Sequence, residues 1–112
     1  MSDYELPVTV SSVRHEFGTF FDRVRLLYNL AFFKEEKGYR AEAVKKYSDE
    51  LFEANHISDY IHSIIGEAIE KFTLLSPVKL KEMNPTKLEQ LSKWINISIS
   101  DINLEIAELV KH

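Results

Sequence analysis

Residues 95–106 read Ile95-Asn96-Ile97-Ser98-Ile99-Ser100-Asp101-Ile102-Asn103-Leu104-Glu105-Ile106, and the period of this stretch decides the fold class. Two periods compete. Ile95, Ile97 and Ile99 alternate with polar residues, as do Ile102, Leu104 and Ile106, with Ser100-Asp101 placed between them like the turn of a β-hairpin. Leu88, Leu91, Ile95, Ile99, Ile102, Ile106 and Leu109 instead advance in steps of three and four, which puts all seven on one stripe of an α-helix. The longer pattern favours the helix, and Glu105 to Val110 are good helix formers. Ser98, Ser100 and Asp101 are poor residues for a helix interior, so a break there into two shorter helices is the expected variant. Asn84-Pro85 supplies a cap followed by proline at the first helical position.

Upstream the same spacing recurs. Ile57, Ile61, Ile64, Ile65, Ala68, Ile69, Phe72 and Leu75 form one wide apolar face, with Ser58 as the N-cap and Pro77 just past the end. A shorter helix is expected from about Tyr39 or Ala41 to Ala54, with Val44, Tyr47 and Leu51 on one side and Glu42, Lys46, Asp49 and Glu53 on the other; Asn55 suits a left-handed terminator. The first helix is expected from about Ser12 to Lys37, capped by Ser11 or Ser12 and stopped by Gly38. Its main stripe is Val13, Phe17, Phe20, Val24, Leu27, Tyr28 and Ala31, and Gly18 marks a bend or a close packing contact. Residues 1–11, with Val8-Thr9-Val10, read as an extended arm. The predicted fold class is all-α: a four-to-five-helix antiparallel bundle with a short extended N-terminal arm, residues 1–112 forming one helical domain.

Composition agrees. The 112 residues include only 3 Gly and 3 Pro, too few turn formers for an all-β domain, and 45% hydrophobic residues are enough for one core. The absence of cysteine excludes disulfides, thiolate zinc sites and a thiol nucleophile, and suits a reducing, cytoplasmic location. The first residues lack the basic start and apolar run of a signal peptide, and no stretch approaches the ~18 consecutive apolar residues of a membrane span. The formal net charge of -4 disfavours nucleic acid and favours a basic partner. Arg14, Arg23 and Arg25 are interleaved with aromatics as in a nucleic-acid groove, but Glu16 and Asp22 accompany them.

Motifs for catalysis are weak. His15-Glu16 starts like a zinc-protease motif, but Thr19 stands where the second histidine is required. Glu53-x-x-His56 and Asp59-x-x-His62 have the i, i+3 spacing of carboxylate-bridged dimetal sites, which need two such motifs on different helices and two further glutamates. Here both pairs crowd one helix junction, so neither a metal nor another cofactor is expected. No nucleophile elbow or glycine-rich phosphate loop is present.

What remains is apolar surface. Leu26, Leu30 and Phe33 follow i, i+4, i+7 spacing away from the main stripe of the first helix, which makes this helix either the centre of the bundle or one face of an interface. Phe32, Phe52, Trp94 and Leu104 also lie off their stripes and become anchors wherever they are exposed. A small, acidic, cysteine-free chain has the profile of a non-catalytic inhibitor such as an immunity protein or antitoxin; the analogy is one of size and charge, carried by no motif. The expected partner is another protein, with Leu26, Leu30, Phe33, Glu42, Asp49, Glu53 and Asp59 as contact residues and no nucleic acid or membrane involved. The alternatives are a homodimer closed over Leu26, Leu30 and Phe33, and a helical metal enzyme using Glu53, His56, Asp59 and His62.

Overall fold

The computed structural model describes residues 8–75 and 84–111. These form four helices packed together: α1 (Val10–Phe32), α2 (Ala41–Glu53), α3 (Asp59–Leu74) and α4 (Pro85–Lys111). The expected stop at Pro77, and residues 1–7 of the expected arm, lie outside the described residues.

The deciding stretch is helical. α4 runs unbroken through residues 95–106, so neither the hairpin nor the break is formed. The serines are accommodated by bonding back along the helix: Ser98 Oγ donates to the Trp94 carbonyl at 3.0 Å and Ser100 Oγ to the Asn96 carbonyl at 3.2 Å. Steps of three and four carry Leu88, Ile95 and Ile102 into the core, whereas Ile97 and Leu104 face outward. At the start of α4, the Asn84 side chain accepts from the Lys87 N–H at 2.9 Å, as a cap should.

The start of α1 differs from expectation. Thr9, not Ser11 or Ser12, is the N-cap. Its hydroxyl accepts from the Ser12 N–H at 3.0 Å while Ser12 Oγ accepts from the Thr9 N–H at 2.9 Å, a reciprocal capping box. Val10 and Ser11 are therefore helical, and of the expected arm only Val8 and Thr9 are described outside the helix.

The end of α1 differs more. The helix stops at Phe32, not at Gly38. Phe33 adopts the left-handed conformation (φ 54°, ψ 47°), and the N–H groups of both Phe33 and Lys34 bond to the Asn29 carbonyl. The cause lies in side chains that sequence periodicity does not register. The Asn29 amide acts as a surrogate backbone, donating to the Glu36 carbonyl and accepting from the Glu36 N–H, each at 2.9 Å. Arg25 donates to the same carbonyl at 3.0 Å, and Tyr47 Oη donates to the Gly38 carbonyl at 2.8 Å. Residues 34–37 are thus strapped back onto α1 instead of extending it. At the end of α2, Asn55 is left-handed (φ 60°) as expected, with His56 N–H bonding to the Leu51 carbonyl and Asn55 N–H to that of Phe52. Ser58 caps α3, accepting from the Ile61 N–H.

The core sits around α1. Val13, Phe17, Phe20, Val24, Leu27 and Tyr28 of its main stripe are buried, joined by Phe21. α1 packs most extensively on α4 and also on α2; α3 lies mainly against α2 and touches α1 and α4 only sparingly. Phe17 stacks near Trp94, with centroids 6.4 Å apart, and Tyr28 stacks on Tyr47 at 4.4 Å. Glu16 ties α1 to α4 by accepting from Ser92 Oγ, 3.0 Å from each oxygen, and from Asn96 Nδ2. Gly18 makes no close contact: a Cβ built there meets nothing within 4 Å, and α1 continues through it.

Two outcomes are expected in thermal or denaturant unfolding. Asn29→Ala removes both bonds to Glu36 and destabilises the fold by about 1–3 kcal/mol. Gly18→Ala, which fills open space on a helix, stabilises it by up to about 1 kcal/mol.

Candidate functional site

The residues expected to form a contact surface divide into two groups. On α1, Leu26 is half-buried, Leu30 is 38% exposed and Phe33 is 95% exposed. Phe33 lies where the chain leaves the helix, so its left-handed backbone directs a whole aromatic ring into solvent. Phe32 does the opposite, packing against Tyr28 and His56 with centroids 4.9 and 5.2 Å away. Of the four off-stripe residues, Phe32, Phe52 and Trp94 pack on the core and Leu104 alone is exposed.

The acidic group lies on α2 and the start of α3. Glu42, Asp49 and Glu53 are spaced i, i+7, i+11, one line along α2 opposite Val44, Tyr47 and Leu51. Glu42, Glu53 and Asp59 are exposed and make no ion pair within 4.0 Å among the described residues. Asp49 is engaged. Its Oδ1 lies 3.0 Å from His62 Nε2 and its Oδ2 accepts from Lys45 Nζ at 3.3 Å. His62 also stacks flat on Phe52, with centroids 4.2 Å apart and planes 5° from parallel. The His62 hydrogen bond, aided by Lys45, holds the Asp49 carboxyl below the usual carboxylate range. Next to Phe33, the Lys34 ammonium donates to Tyr28 Oη at 3.1 Å, and Tyr28 Oη donates to Glu50 of α2 at 2.9 Å.

The histidines of the metal-enzyme alternative are engaged elsewhere. His56 sits edge-on to Phe32, and His62 binds Asp49 of the neighbouring helix, not Asp59 of its own. Among the described residues, no group of three or more histidine or carboxylate side chains is arranged to hold a metal. Asp49 and His62 line a cleft of about 440 Å³ between α2 and α3. Ser48 lines it too, its hydroxyl buried and without a hydrogen-bond partner among the described residues. No hydrogen bond joins Ser48 to His62, so the nucleophile–base contact used in acyl transfer is not made. Two of the three arginines interleaved with aromatics are occupied: Arg14 donates to the Leu75 carbonyl and lies over Phe72, and Arg25 pairs with Asp22 at 2.8 Å.

One pair of exposed residues escaped sequence reasoning. Tyr60 on α3 and Ile97 on α4 face each other across a groove of about 310 Å³, where Tyr60 Oη donates to Asp101 at 3.1 Å. That bond, made to an ionised acceptor, raises the Tyr60 hydroxyl pKa. The available signal was the seven-residue step from Ile97 to Leu104, both off the core stripe of α4.

Compared with models of known families, with curated proteins and with solved structures, the chain matches none. Among the described residues, no helix is long and apolar enough to cross a membrane.

The α2–α3 link has a defined pH signature. Because Asp49 is more acidic folded than unfolded, its contribution is complete above the unfolded carboxylate pKa of about 4 and is lost as pH falls through the lower folded value. The groups are partly exposed and water screens them, so the effect is at most about 1 kcal/mol. Acid unfolding curves of Asp49→Asn are expected to converge with wild type below about pH 3 and to fall short of it at neutral pH.

Proposed function

We propose that this chain is a non-catalytic protein-binding module: a small acidic inhibitor of a basic partner protein, of the immunity or antitoxin sort, carried on a helical bundle. The observation that carries this reading is Phe33. An aromatic residue held in a left-handed conformation, 95% exposed, loses stability on both counts in the isolated protein. Glycine or asparagine would end the helix better. Such a cost is offset when a partner covers the ring, since aromatic side chains dominate interface energetics. Leu30 extends the apolar surface by one turn, and Glu42, Glu53 and Asp59 provide exposed carboxylates that would steer a basic surface into place. Tyr60 beside Asp101 at one end and Lys71 over Trp94 at the other support an antiparallel α3 and α4. Gly18 and Phe21 beside Ala41 and Glu42, with Tyr28 beside Tyr47 and Glu50, argue instead for α1 and α2 running in the same direction, against the expected all-antiparallel bundle. The reason is that residues 34–37 return along α1 before α2 begins. A reducing cytoplasmic setting fits a chain without cysteine.

Self-association over Leu26, Leu30 and Phe33 is the competing use of the same apolar residues. Sedimentation of the pure chain as a monomer at high concentration disposes of it.

The decisive experiment joins stability to binding. Phe33→Asn is expected to raise stability by about 0.5–1 kcal/mol, since asparagine accepts the left-handed conformation more readily. The same change should weaken retention of the partner captured from the source organism by tagged wild type. Reversing Glu42, Glu53 and Asp59 together to lysine should weaken it further, and added salt should do the same. A captured partner indifferent to salt and to both sets of substitutions overturns the proposal.

A further inference from the structure

We infer that the seam between α3 and α4 is a docking groove for a basic amphipathic helix of a partner protein. This rests on the reading of the chain as a partner-binding module but concerns a different surface. α3 is seated on α2 and meets α4 only sparingly, so the two helices leave between them the groove lined by Tyr60, Ile64, Trp94 and Ile97. Tyr60 and Ile97 are each 62% exposed, and Leu104, two turns beyond Ile97, is 65% exposed. Residues seven apart lie about 10 Å apart on one side of a helix, the repeat with which the apolar stripe of a docking helix would mesh.

The charges around this apolar line select the occupant. Glu67 and Asp101 line the groove, and Glu105 and Glu108 continue the side of α4 that carries Asp101 at steps of four and seven. Lys71 is drawn to Glu67 (3.8 Å) and lies over the Trp94 ring, and Lys93 and Lys111 stand at the margins, so the balance is acidic. The Glu108–Lys111 pair, at 3.9 Å with both side chains largely exposed, leaves Glu108 free to engage another cation. A second copy of this chain meeting the groove about a two-fold axis near Leu104 would set Asp101 opposite Glu108 of the copy, so like charges oppose self-association here. A lysine- or arginine-rich helix meets both requirements: its apolar stripe fills the groove and its charges face the carboxylates.

The probe is a synthetic peptide of about 18 residues with leucine at i, i+3, i+4 and i+7 spacing and lysine elsewhere, long enough to span the groove. Its control has the same leucines and glutamate for lysine. Trp94 is the single tryptophan of the chain and lines the groove, so intrinsic fluorescence reads occupancy directly. The lysine peptide is expected to shift Trp94 emission saturably and to bind at least about tenfold more tightly than the glutamate peptide, with the difference shrinking at high salt. Ile97→Lys and Leu104→Lys, both at exposed helical positions, should each weaken it about tenfold or more with thermal unfolding unchanged, whereas Phe33→Asn should leave it unaltered. Equal binding of the two peptides, binding of neither, or wild-type binding by both lysine variants overturns the inference. So does a dimer of the chain alone that Ile97→Lys dissociates. The titration tests the α3–α4 seam and the capture experiment tests α1 and α2, so each can fail without the other.

Discussion

The first helix cannot be left exposed on any broad side, and the molecule is arranged around that constraint. Phe17, Phe20, Phe21 and Tyr28, together with Val13, Val24 and Leu27, are buried over barely four turns. Each aromatic side chain takes on the order of 150–250 Å² out of water, so this helix alone accounts for much of the driving force for folding. α4 covers one side and α2 another, through the Trp94 and Tyr47 rings. α3 is seated mainly on α2 and reaches α1 through Phe72, which packs on Phe17 and Phe21, but it meets α4 only sparingly, so its outer flank and that of α4 do not close on each other. The open seam is thus a product of how α1 is covered: α2 and α4 meet the largest obligation, and α3 is placed by α2.

A second constraint acts at one residue. The carbonyl of Asn29 terminates α1 and its side chain holds the peptide of Glu36, so the chain must reverse within a few residues. Phe33 lies at that reversal. The left-handed backbone and the outward ring follow from the same network, which makes the exposed aromatic a fixed feature of the fold.

The helices themselves were legible in the sequence because burial leaves a period. Ile95, Ile102, Ile61, Ile65, Phe17 and Val24 are buried where steps of three and four place them, and Ser58, Asn55 and Asn84-Pro85 mark boundaries through their own local chemistry. The errors share one cause. Thr9 displaced Ser11 and Ser12 as the cap because it could form a reciprocal pair, and Phe32 ended a helix expected to reach Lys37 because Asn29, Arg25 and Tyr47 together hold the following loop. The first network is local and the second joins residues on different elements, but neither leaves a periodic trace. The candidate surface was legible in part. The off-stripe spacing of Leu26, Leu30 and Phe33 signalled surplus apolar residues, but which of them reached solvent depended on the chain reversal. The partner of Asp49 on the neighbouring helix, His62, was not legible, since the two lie 13 positions apart.

The pairing of α1 with α4 also bears on the order of events during synthesis. Of the four described helices, the two that share the largest interface are made before and after the other two, and Glu16 finds Ser92 and Asn96 more than 70 positions later. Until residues 85–111 have emerged, a nascent chain can assemble α1, α2 and α3 but must leave one aromatic flank of α1 bare. That interval, between the appearance of the phenylalanines and the arrival of the helix that covers them, is when the chain is most prone to aggregate and most in need of a chaperone.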